Sequence, residues 1–372
     1  MRFKIRQKDF LEMVYRAQSI VERKTTLPIL SHVLIETKES RVFATSTDLE
    51  MSLQESKPAD IEESGSIVVP VVLLHEILKK LPQDSDILVS KSQDESLVHV
   101  KSGNSRFKLP SLDIADFPNI QIPQSLNFHF DVHPTQLLNS LDMVKFSICS
   151  EESRYNLSGV FFDTNTDQEK NKICLVTSDG HRLTHRTLKV NGQLSVVPEF
   201  LISKKMCQEL FSIVEKTEDQ VQVFYSENQI ILKQKDLMFS SRLVDATFPD
   251  YKNMIPVCSQ HATLNAKDFL NSLERLSPLV NDRSPHVHMS FSNDNLKLLV
   301  PSENNSEATD EIYINYNGPS ISLILNLRYL LEIVSRLKET EMQISFETDS
   351  TPVIISDMQD LQTYCVLMPM RG

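Results

Sequence analysis

The chain has 372 residues, 40% of them hydrophobic, and a formal net charge of −12 at pH 7. No run approaches eighteen consecutive apolar residues, so the sequence predicts no transmembrane helix, and the acidic balance argues against a protein that coats nucleic acid with its whole surface. Five scattered cysteines without a Cys-x-x-Cys pair argue against disulfides and a thiolate zinc site. Together these features predict a cytosolic protein.

Helical patterns recur along the chain with a period near 130 residues. Three amphipathic stretches carry apolar residues at helical spacing, and they begin at Lys8, Thr135 and Lys267. A second apolar helix follows in each repeat, and these helices begin near Pro70, Ser203 and Asn326, residues that favour helix starts. Short alternating or β-branched runs follow each second helix, which indicates strands.

Two short markers repeat with the same offset. Asp48 and Asp179 lie 131 residues apart, and Phe117 and Phe248 also lie 131 residues apart, each before a proline. The spacing predicts three α+β domains of one design, each with two helices packed on one face of an antiparallel sheet. We place these domains at residues 1–125, 126–258 and 259–372.

Positive charge is concentrated in the six predicted helices, at residues 8–24, 71–80, 134–149, 203–216, 267–276 and 327–338. These hold fifteen Lys or Arg and ten Asp or Glu, whereas the whole chain is strongly acidic. One interpretation is a basic face that binds phosphate backbones without reading sequence. The alternative is that solvated Lys and Arg are simply good helix formers.

The C-terminal tail is unusually apolar, because Val366, Leu367, Met368 and Met370 stand close together beside Pro369. Exposed together, these side chains would form an adhesive patch of the kind that marks a binding site, and methionine adapts to several ligands. The same residues could instead form a last core strand. The tail by itself leaves both interpretations open.

Several motifs together resemble a known family. They are residues 26–30, 47–51, 105–107, 154–159, 177–183, 243–251 and 368–371. In order and spacing they resemble the bacterial sliding clamp, the beta subunit of the replicative DNA polymerase, over Met1 to Arg371. The resemblance implies a head-to-tail homodimer that closes into a ring of six domains, with helices lining the hole and sheets outside. Duplex DNA would pass through the hole and be held by topology.

The resemblance also implies a function without catalysis. The chain would be a processivity factor that tethers the replicative polymerase catalytic subunit, the clamp loader and other clamp-motif proteins to double-stranded DNA. It would need no metal and no cofactor, and it would act in the bacterial cytoplasm at the replication fork.

Site residues follow from the resemblance position by position. The pocket for a partner peptide, of roughly Gln-Leu-x-Leu-Phe type, would comprise Leu157, Gly180, His181, Arg182, Leu183, Pro249, Met254, Asn326, Tyr329, Val366, Leu367, Met368, Pro369, Met370 and Arg371. The DNA contacts would be Lys24, Lys79, Tyr155, Lys204 and Lys205. The dimer contact would use Phe107 and Leu109 at one end of the chain and Pro278 and Leu279 at the other.

Two other functions are considered. An enzyme built on Asp179 and His181 would need acid–base chemistry, but no nucleophile motif, phosphate loop or metal set accompanies the pair. Asp48 repeats Asp179 in a copy that lacks the histidine, so a turn-stabilising aspartate explains both better. The other alternative is a non-catalytic scaffold of the same fold that is not loaded on DNA.

Overall fold

A computed structural model describes residues 1–21, 26–92, 96–120, 127–151, 153–165, 171–191, 198–226, 228–281, 284–301, 306–337, 341–360 and 362–370. Within these residues one order of elements occurs three times. The first copy comprises β1 (Arg2–Arg6), α1 (Gln7–Ile20), β2 (His32–Lys38), β3 (Arg41–Thr47), β4 (Met51–Pro58), β5 (Asp60–Glu63), β6 (Ser66–Pro70), α2 (Val71–Lys80), β7 (Asp86–Ser90), β8 (Leu97–Ser102) and β9 (Ser105–Pro110).

Among the described residues, neither the second nor the third copy has an equivalent of β5. The second copy comprises β10 (Asn127–Val132), α3 (Pro134–Val144), β11 (Gly159–Asp163), β12 (Lys172–Ser178), β13 (Arg182–Lys189), β14 (Phe200–Ser203), α4 (Lys204–Ile213), β15 (Val221–Ser226), β16 (Gln229–Gln234) and β17 (Leu237–Arg242). The third copy comprises β18 (Gln260–Asn265), α5 (Ala266–Leu276), β19 (His286–Ser292), β20 (Asn295–Pro301), β21 (Glu307–Tyr313), β22 (Ile321–Asn326), α6 (Leu327–Val334), β23 (Glu341–Phe346), β24 (Val353–Asp357) and β25 (Thr363–Leu367).

The six helices occur where the apolar periodicity predicts them, which confirms the repeated α+β design. Asn265 and Asn326 cap α5 and α6. The side-chain oxygen of Asn265 accepts a hydrogen bond from one backbone amide of the first turn, and that of Asn326 accepts from two. Helix α1 ends four residues earlier than predicted, because Val21 is already extended. None of the described helices is both long and apolar enough to cross a lipid bilayer.

The chain divides into two compact units. The first comprises Met1–Leu138, Val190–Val197 and Lys205–Leu243, and the second comprises the remainder. In the first unit lie a five-stranded sheet in the order β5-β1-β7-β8-β9 and an eight-stranded sheet in the order β10-β15-β16-β17-β4-β3-β2-β6. Because each unit combines elements of more than one repeat, the three domain boundaries drawn from the sequence stay a prediction.

The second unit has the matching arrangement. An eight-stranded sheet runs in the order β14-β11-β12-β13-β25-β24-β23-β18, and a four-stranded sheet runs in the order β21-β20-β19-β22. The strand pairings described in all four sheets are antiparallel. A core formed by α5, α6 and strands of both sheets contains Phe269, Phe291 and Phe346, each at most 1% exposed.

Consecutive repeats are joined by strand pairing. In the first unit β17 pairs with β4, with Leu237 opposite Glu55. In the second unit β25 pairs with β13, with Leu367 opposite Arg182. In both pairs the last strand of one repeat adds to the fourth strand of the repeat before it. This rule leaves β9 and β21 as edge strands, since each has one partner among the described strands.

The repeated aspartate marks a repeated tight turn. Oδ1 of Asp179 accepts hydrogen bonds from the amides of His181 and Arg182, both at 3.0 Å. Oδ1 of Asp48 accepts in the same way from the amides of Glu50 at 2.9 Å and of Met51 at 2.6 Å. The residue after the aspartate has a positive φ in both copies. It is Gly180 (φ 88°) in one and Leu49 (φ 78°) in the other.

Leu49 therefore holds a conformation that glycine tolerates better. A left-handed backbone conformation costs an L-residue about 1–2 kcal/mol, and glycine avoids this cost. Part of the gain is offset, because glycine also makes the unfolded chain more flexible and so favours unfolding. We expect Leu49→Gly to raise the free energy of unfolding by about 0.5–1 kcal/mol, as measured by urea denaturation. Leu27→Gly is the matched control, because Leu27 is equally exposed but has φ −107°. That change should destabilise, and equal losses in both variants would contradict the assignment of strain to Leu49.

Candidate functional site: an apolar cavity beside the C-terminal tail

The second unit contains a cavity of about 130 Å³. Four segments surround it, namely the 3-10 turn at Tyr155–Leu157, the turn between β12 and β13, the loop after β17, and the end of β25. Its lining is mainly apolar and comprises Leu157, Ser178, Gly180, Arg182, Leu183, Phe248, Pro249, Tyr251, Met254, Val366 and Met368.

The turn between β12 and β13 shapes one wall. Gly180 suits this turn because its φ of 88° lies in the left-handed region that glycine tolerates best. A Cβ atom there would lie 2.7 Å from Nη1 of Arg154, so the end of that side chain would have to move. The Ser178 hydroxyl donates to the carbonyl of Arg182 at 2.8 Å and accepts from the amide of Gly180 at 3.1 Å. The Ser-Asp-Gly sequence thus builds a rigid turn. Asp179 acts within it as the turn-stabilising residue that the repeat predicts.

Arg182 is a buried cation held on several sides. Its Nε lies 3.0 Å from Oδ2 of Asp179, and its Nη2 donates to the carbonyl of Phe146 at 3.0 Å. Nη1 lies 2.6 Å from a carboxylate oxygen of Glu332. The guanidinium carbon is 4.3 Å from the ring centroid of Tyr329, which is a cation–π contact. These contacts fix Arg182 as a wall of the cavity.

The C-terminal tail combines both interpretations that the sequence left open. Along β25 the side chains alternate, so Val366 belongs to the apolar cluster around the cavity while Leu367 belongs to the core of the last repeat. Beyond the strand, the amide of Met368 donates to the carbonyl of His181 at 3.0 Å. The amide of Met370 donates to the carbonyl of Ile324 at 2.8 Å. The tail is thus a core strand that continues as a cavity wall.

The structure brings together eight of the predicted pocket residues, which are Leu157, Gly180, Arg182, Leu183, Pro249, Met254, Val366 and Met368. The other described residues of the predicted pocket are not among those that line the cavity. The rings of His181 and Tyr329 lie nearly parallel, with centroids 6.4 Å apart. Asn326 uses its side-chain oxygen to cap α6, and Pro369 and Met370 are half-buried. Leu367 is fully buried and offers no surface to a ligand, and Arg371 lies outside the described residues.

Three cavity residues were missed by sequence reasoning, namely Ser178, Phe248 and Tyr251. Phe248 belongs to one of the two repeated markers, and both Phe248 and Tyr251 lie within the 243–251 motif of the family resemblance. The signal was therefore present in the sequence. What could not be predicted is that this loop folds back beside β13 and β25, because no short-range pattern encodes that contact.

The residues predicted to contact DNA are placed separately in the two units. In the first unit, Lys79 is exposed in the last turn of α2, and Nζ of Lys205 lies 2.6 Å from Oδ2 of the buried Asp48. In the second unit, Tyr155 is 62% exposed and Nζ of Lys204 donates to the Ser150 hydroxyl at 2.9 Å. Lys24 lies outside the described residues. Lys205 is thus paired with a carboxylate, while its side chain stays 40% exposed.

The predicted dimer residues differ in accessibility. Phe107 is half-buried on β9, whereas Leu109 is 1% exposed and packs in the core of its own unit, so its side chain offers no contact surface. Pro278 is exposed and Leu279 is half-buried in the 3-10 turn that follows α5. The two regions lie in different units. Phe107 and Leu109 belong to the first repeat, which contains β9, and Pro278 and Leu279 belong to the third repeat, which contains β21.

Comparison with known proteins identifies the family. The models of the DNA polymerase III beta subunit match the chain with the N-terminal domain at residues 1–121, the central domain at 131–250 and the C-terminal domain at 252–371. The beta sliding clamp of Caulobacter vibrioides is 28% identical over 372 residues, and that of Haemophilus influenzae is 27% identical over 376 residues. Each of these matches covers 100% of both chains.

Solved structures agree with this. A DnaN sliding clamp from Bartonella birtlesii bound to griselimycin has a TM-score of 0.93 and 32% identity, and Caulobacter crescentus pol III beta has a TM-score of 0.94 and 28% identity. Both matches cover 100% of this chain and of the other. The repeated fold and the cavity define a DNA sliding clamp, a processivity factor without catalytic activity. The chain belongs to the DNA polymerase III beta subunit family, the beta sliding clamps.

A buried histidine beneath the cavity predicts a pH dependence. His185 is stacked on Tyr364 with centroids 4.5 Å apart, and its Nδ1 has no hydrogen-bond partner among the described residues. Burial lowers the pKa of His185 to about 4, against its ordinary value of 6.5. The unfolded chain therefore binds this proton more readily than the folded chain does. Stability present above pH 6.5 is lost as the pH falls towards 4.

We expect His185 to account for about 2–3 kcal/mol of the stability lost between pH 7.5 and pH 4.5. His185→Phe retains a ring that can stack on Tyr364 but cannot titrate. Urea denaturation of both proteins at the two pH values should show a smaller loss in the variant by that amount. An equal loss in wild type and variant would contradict the buried, neutral histidine.

Proposed function

We propose that the cavity beside the tail holds the apolar side chains of a short linear motif in partner proteins. The replicative polymerase, the clamp loader and other clamp-motif proteins would use this one site in turn. The observation that carries the proposal is an apolar cavity whose walls are rigid on one side, through Gly180 and Arg182, and formed by adaptable methionines on the other. A pre-formed cavity reduces the ordering cost that opposes peptide binding.

The expected affinity follows from the size of the motif. Two or three buried apolar side chains would each contribute about 1.5–3 kcal/mol. Ordering of the peptide and loss of its free motion oppose part of that gain. The sum corresponds to roughly micromolar binding, which allows partners to exchange on one clamp.

Met254 and Met358 offer a matched pair for testing the cavity. Both are 38% exposed, but only Met254 lines the cavity. We expect Met254→Lys to weaken binding of a Gln-Leu-x-Leu-Phe peptide at least about tenfold, since a charge would enter an apolar wall, and Met358→Lys to leave it unchanged. Fluorescence anisotropy of a labelled peptide measures both.

Deletion of residues 368–372 should weaken peptide binding too. The deletion begins after Leu367, because that residue and Val366 belong to β25.

Two results would contradict the site. One is equal peptide affinity in the Met254 and Met358 variants. The other is undiminished binding after the tail is deleted, with β25 intact by circular dichroism. Either result would place the motif elsewhere on the clamp.

We infer that two copies close into a ring through the two edge strands that a single chain leaves open. Within the chain, β17 adds to β4 and β25 adds to β13. By the same rule the third pairing of the series joins β9 to β21, and within one chain both strands have a single partner among the described strands. A partner copy would supply the missing neighbour. Such head-to-tail contacts close into a ring when the rotation between copies permits it.

The repeats also predict the register of this pairing. In the hairpins β8–β9 and β16–β17, Lys108 occupies the place of Ser240. In the ladders β20–β21 and β3–β4, Glu307 occupies the place of Ser52. Since Ser240 faces Ser52 in the observed pair, Lys108 of one copy would face Glu307 of the other. Opposite charges across strands stabilise pairing, and like charges destabilise it.

Charge reversal on the two edges tests this arrangement. The double variant Arg106→Glu, Lys108→Glu makes β9 acidic, and the double variant Glu307→Lys, Glu311→Lys makes β21 basic. We expect each variant alone to be monomeric at concentrations where the wild type is a dimer, by analytical ultracentrifugation. An equimolar mixture should restore the dimer, because both of its interfaces then join opposite charges. Dimers of either variant alone would show that these strands do not form the interface.

Two further measurements complete the experiment. Glu62→Lys with Glu63→Lys is the control, because it reverses charge on β5, the other edge of the same five-stranded sheet, and should leave the dimer intact. After loading, the wild type and the mixture should remain on closed circular DNA at high salt and leave when the circle is cut. A protein that dissociates from both DNA forms alike as salt rises would be a groove binder. If the wild type is not retained on closed circular DNA at all, the result would favour a non-catalytic scaffold of the same fold that is not loaded on DNA.

We also propose the contacts with DNA that the family resemblance implies. Lys79, Tyr155 and Lys204 are at least partly accessible to a duplex, and Lys24 and Lys205 complete the set implied by the family resemblance. Weak, sequence-independent contacts suit a protein that must slide, because topology rather than adhesion retains it. The proposed place of action is the bacterial cytoplasm, at the replication fork.

A further inference from the structure

A buried carboxylate lies directly behind the cavity. Asp163 ends β11 and is 1% exposed. Its Oδ2 accepts a hydrogen bond from the Tyr251 hydroxyl at 2.7 Å and lies 3.0 Å from Nζ of Lys252. Its Oδ1 accepts from the amide of Asn165 at 2.9 Å. A carboxyl group held by a hydroxyl, a backbone amide and an ammonium group is a directional anchor in a buried setting.

Tyr251 connects this carboxylate with the cavity. Tyr251 lines the cavity, and its hydroxyl donates to Asp163, which is not among the lining residues. The ring packs at 6.4 Å and 69° against Phe161 and lies 6.2 Å from the ring of His185 on another side. Phe161 also stacks on Phe248, a second cavity aromatic, at 4.7 Å. The floor of the cavity is therefore a layer of rings, which the hydrogen bond from Tyr251 to Asp163 ties to β11.

Alternation along β11 explains how one strand supports the whole floor. Phe161 and Asp163 are two residues apart and so lie on the same face of the strand. The first supports the cavity rings by stacking, and the second fixes the orientation of Tyr251 through its hydroxyl. Without the tether, the Tyr251 ring could tilt into or out of the cavity and change its depth.

We propose that Asp163 is a positioning residue for the partner site, which sets the depth of the cavity by holding Tyr251 and thereby selects a large apolar anchor in the bound peptide. The proposal rests on the proposed function of the cavity as a peptide site. Asp163 itself is screened from the ligand by the Tyr251 ring and acts through it.

Tyr251→Phe and Asp163→Asn test the tether from both ends. Tyr251→Phe keeps the ring and removes the hydroxyl, and we expect it to weaken binding of the Gln-Leu-x-Leu-Phe peptide about three- to tenfold. Asp163→Asn should have an effect of similar size, and the double variant should bind no more weakly than the weaker single variant. Tyr364→Phe is the matched control, because Tyr364 belongs to the same ring layer but its hydroxyl has no hydrogen bond to another described residue.

A second peptide separates positioning from simple loss of stability. In it, alanine replaces the apolar side chain of the peptide that contacts Met254. That side chain is identified as the one whose replacement by alanine abolishes the effect of Met254→Lys on binding. A displaced floor should reduce affinity for the parent peptide more than for the alanine peptide, so the ratio of the two affinities falls. A partly unfolded variant would lose affinity for both peptides equally.

The outcomes distinguish the two proposals. If wild type fails to bind the parent peptide, or Met254→Lys has no effect, the cavity is not the partner site. If both of those controls succeed but Tyr251→Phe and Asp163→Asn bind both peptides as wild type does, the positioning role of Asp163 is overturned. Equal loss for both peptides would overturn it as well.

Discussion

The structure depends on the antiparallel pairing of the last strand of one repeat with an inner strand of the repeat before it. The β4–β17 and β13–β25 ladders create two eight-stranded sheets that no single repeat could form. Backbone groups at a strand edge need partners, and an open edge is a ready template for another chain. The same requirement that links neighbouring repeats therefore leaves one edge on β9 and another on β21. A closed assembly of copies would satisfy both.

The partner cavity forms at one of these junctions. Its walls come from β13 and β25, the two strands that meet there, together with the turn that precedes β13 and the tail that follows β25. The corresponding junction in the first unit has Leu49 where the cavity has Gly180, Met51 where it has Arg182 and Ser240 where it has Val366. A repeated backbone thus carries different side chains at its two junctions, and the difference in side chains distinguishes a binding site from a structural joint.

The charge distribution is consistent with retention by topology. Buried or half-buried ionic contacts use several of the basic residues, such as Arg16 with Glu55 at 2.6 Å, Arg182 with Glu332, and Lys205 with Asp48. These cations are not available for strong binding of phosphates. An acidic clamp that held DNA tightly would slide poorly, so modest adhesion combined with enclosure suits its function.

Local patterns in the sequence determined the elements and the repeat. Apolar spacing placed six helices, the Asp48 and Asp179 markers identified one turn twice, and the motifs around residues 154–159 and 177–183 pointed to the family and to most of the cavity wall. Tertiary structure decided the rest. It assigned Val366 to the cavity and Leu367 to the core, buried Leu109, tied Lys205 to Asp48, and placed Tyr251 over Asp163. Hydrophobic period and turn chemistry act over a few residues and can be seen in the chain, whereas contacts such as Lys205 with Asp48 and Tyr251 with Asp163 join residues 157 and 88 positions apart and exist only once the sheets have formed.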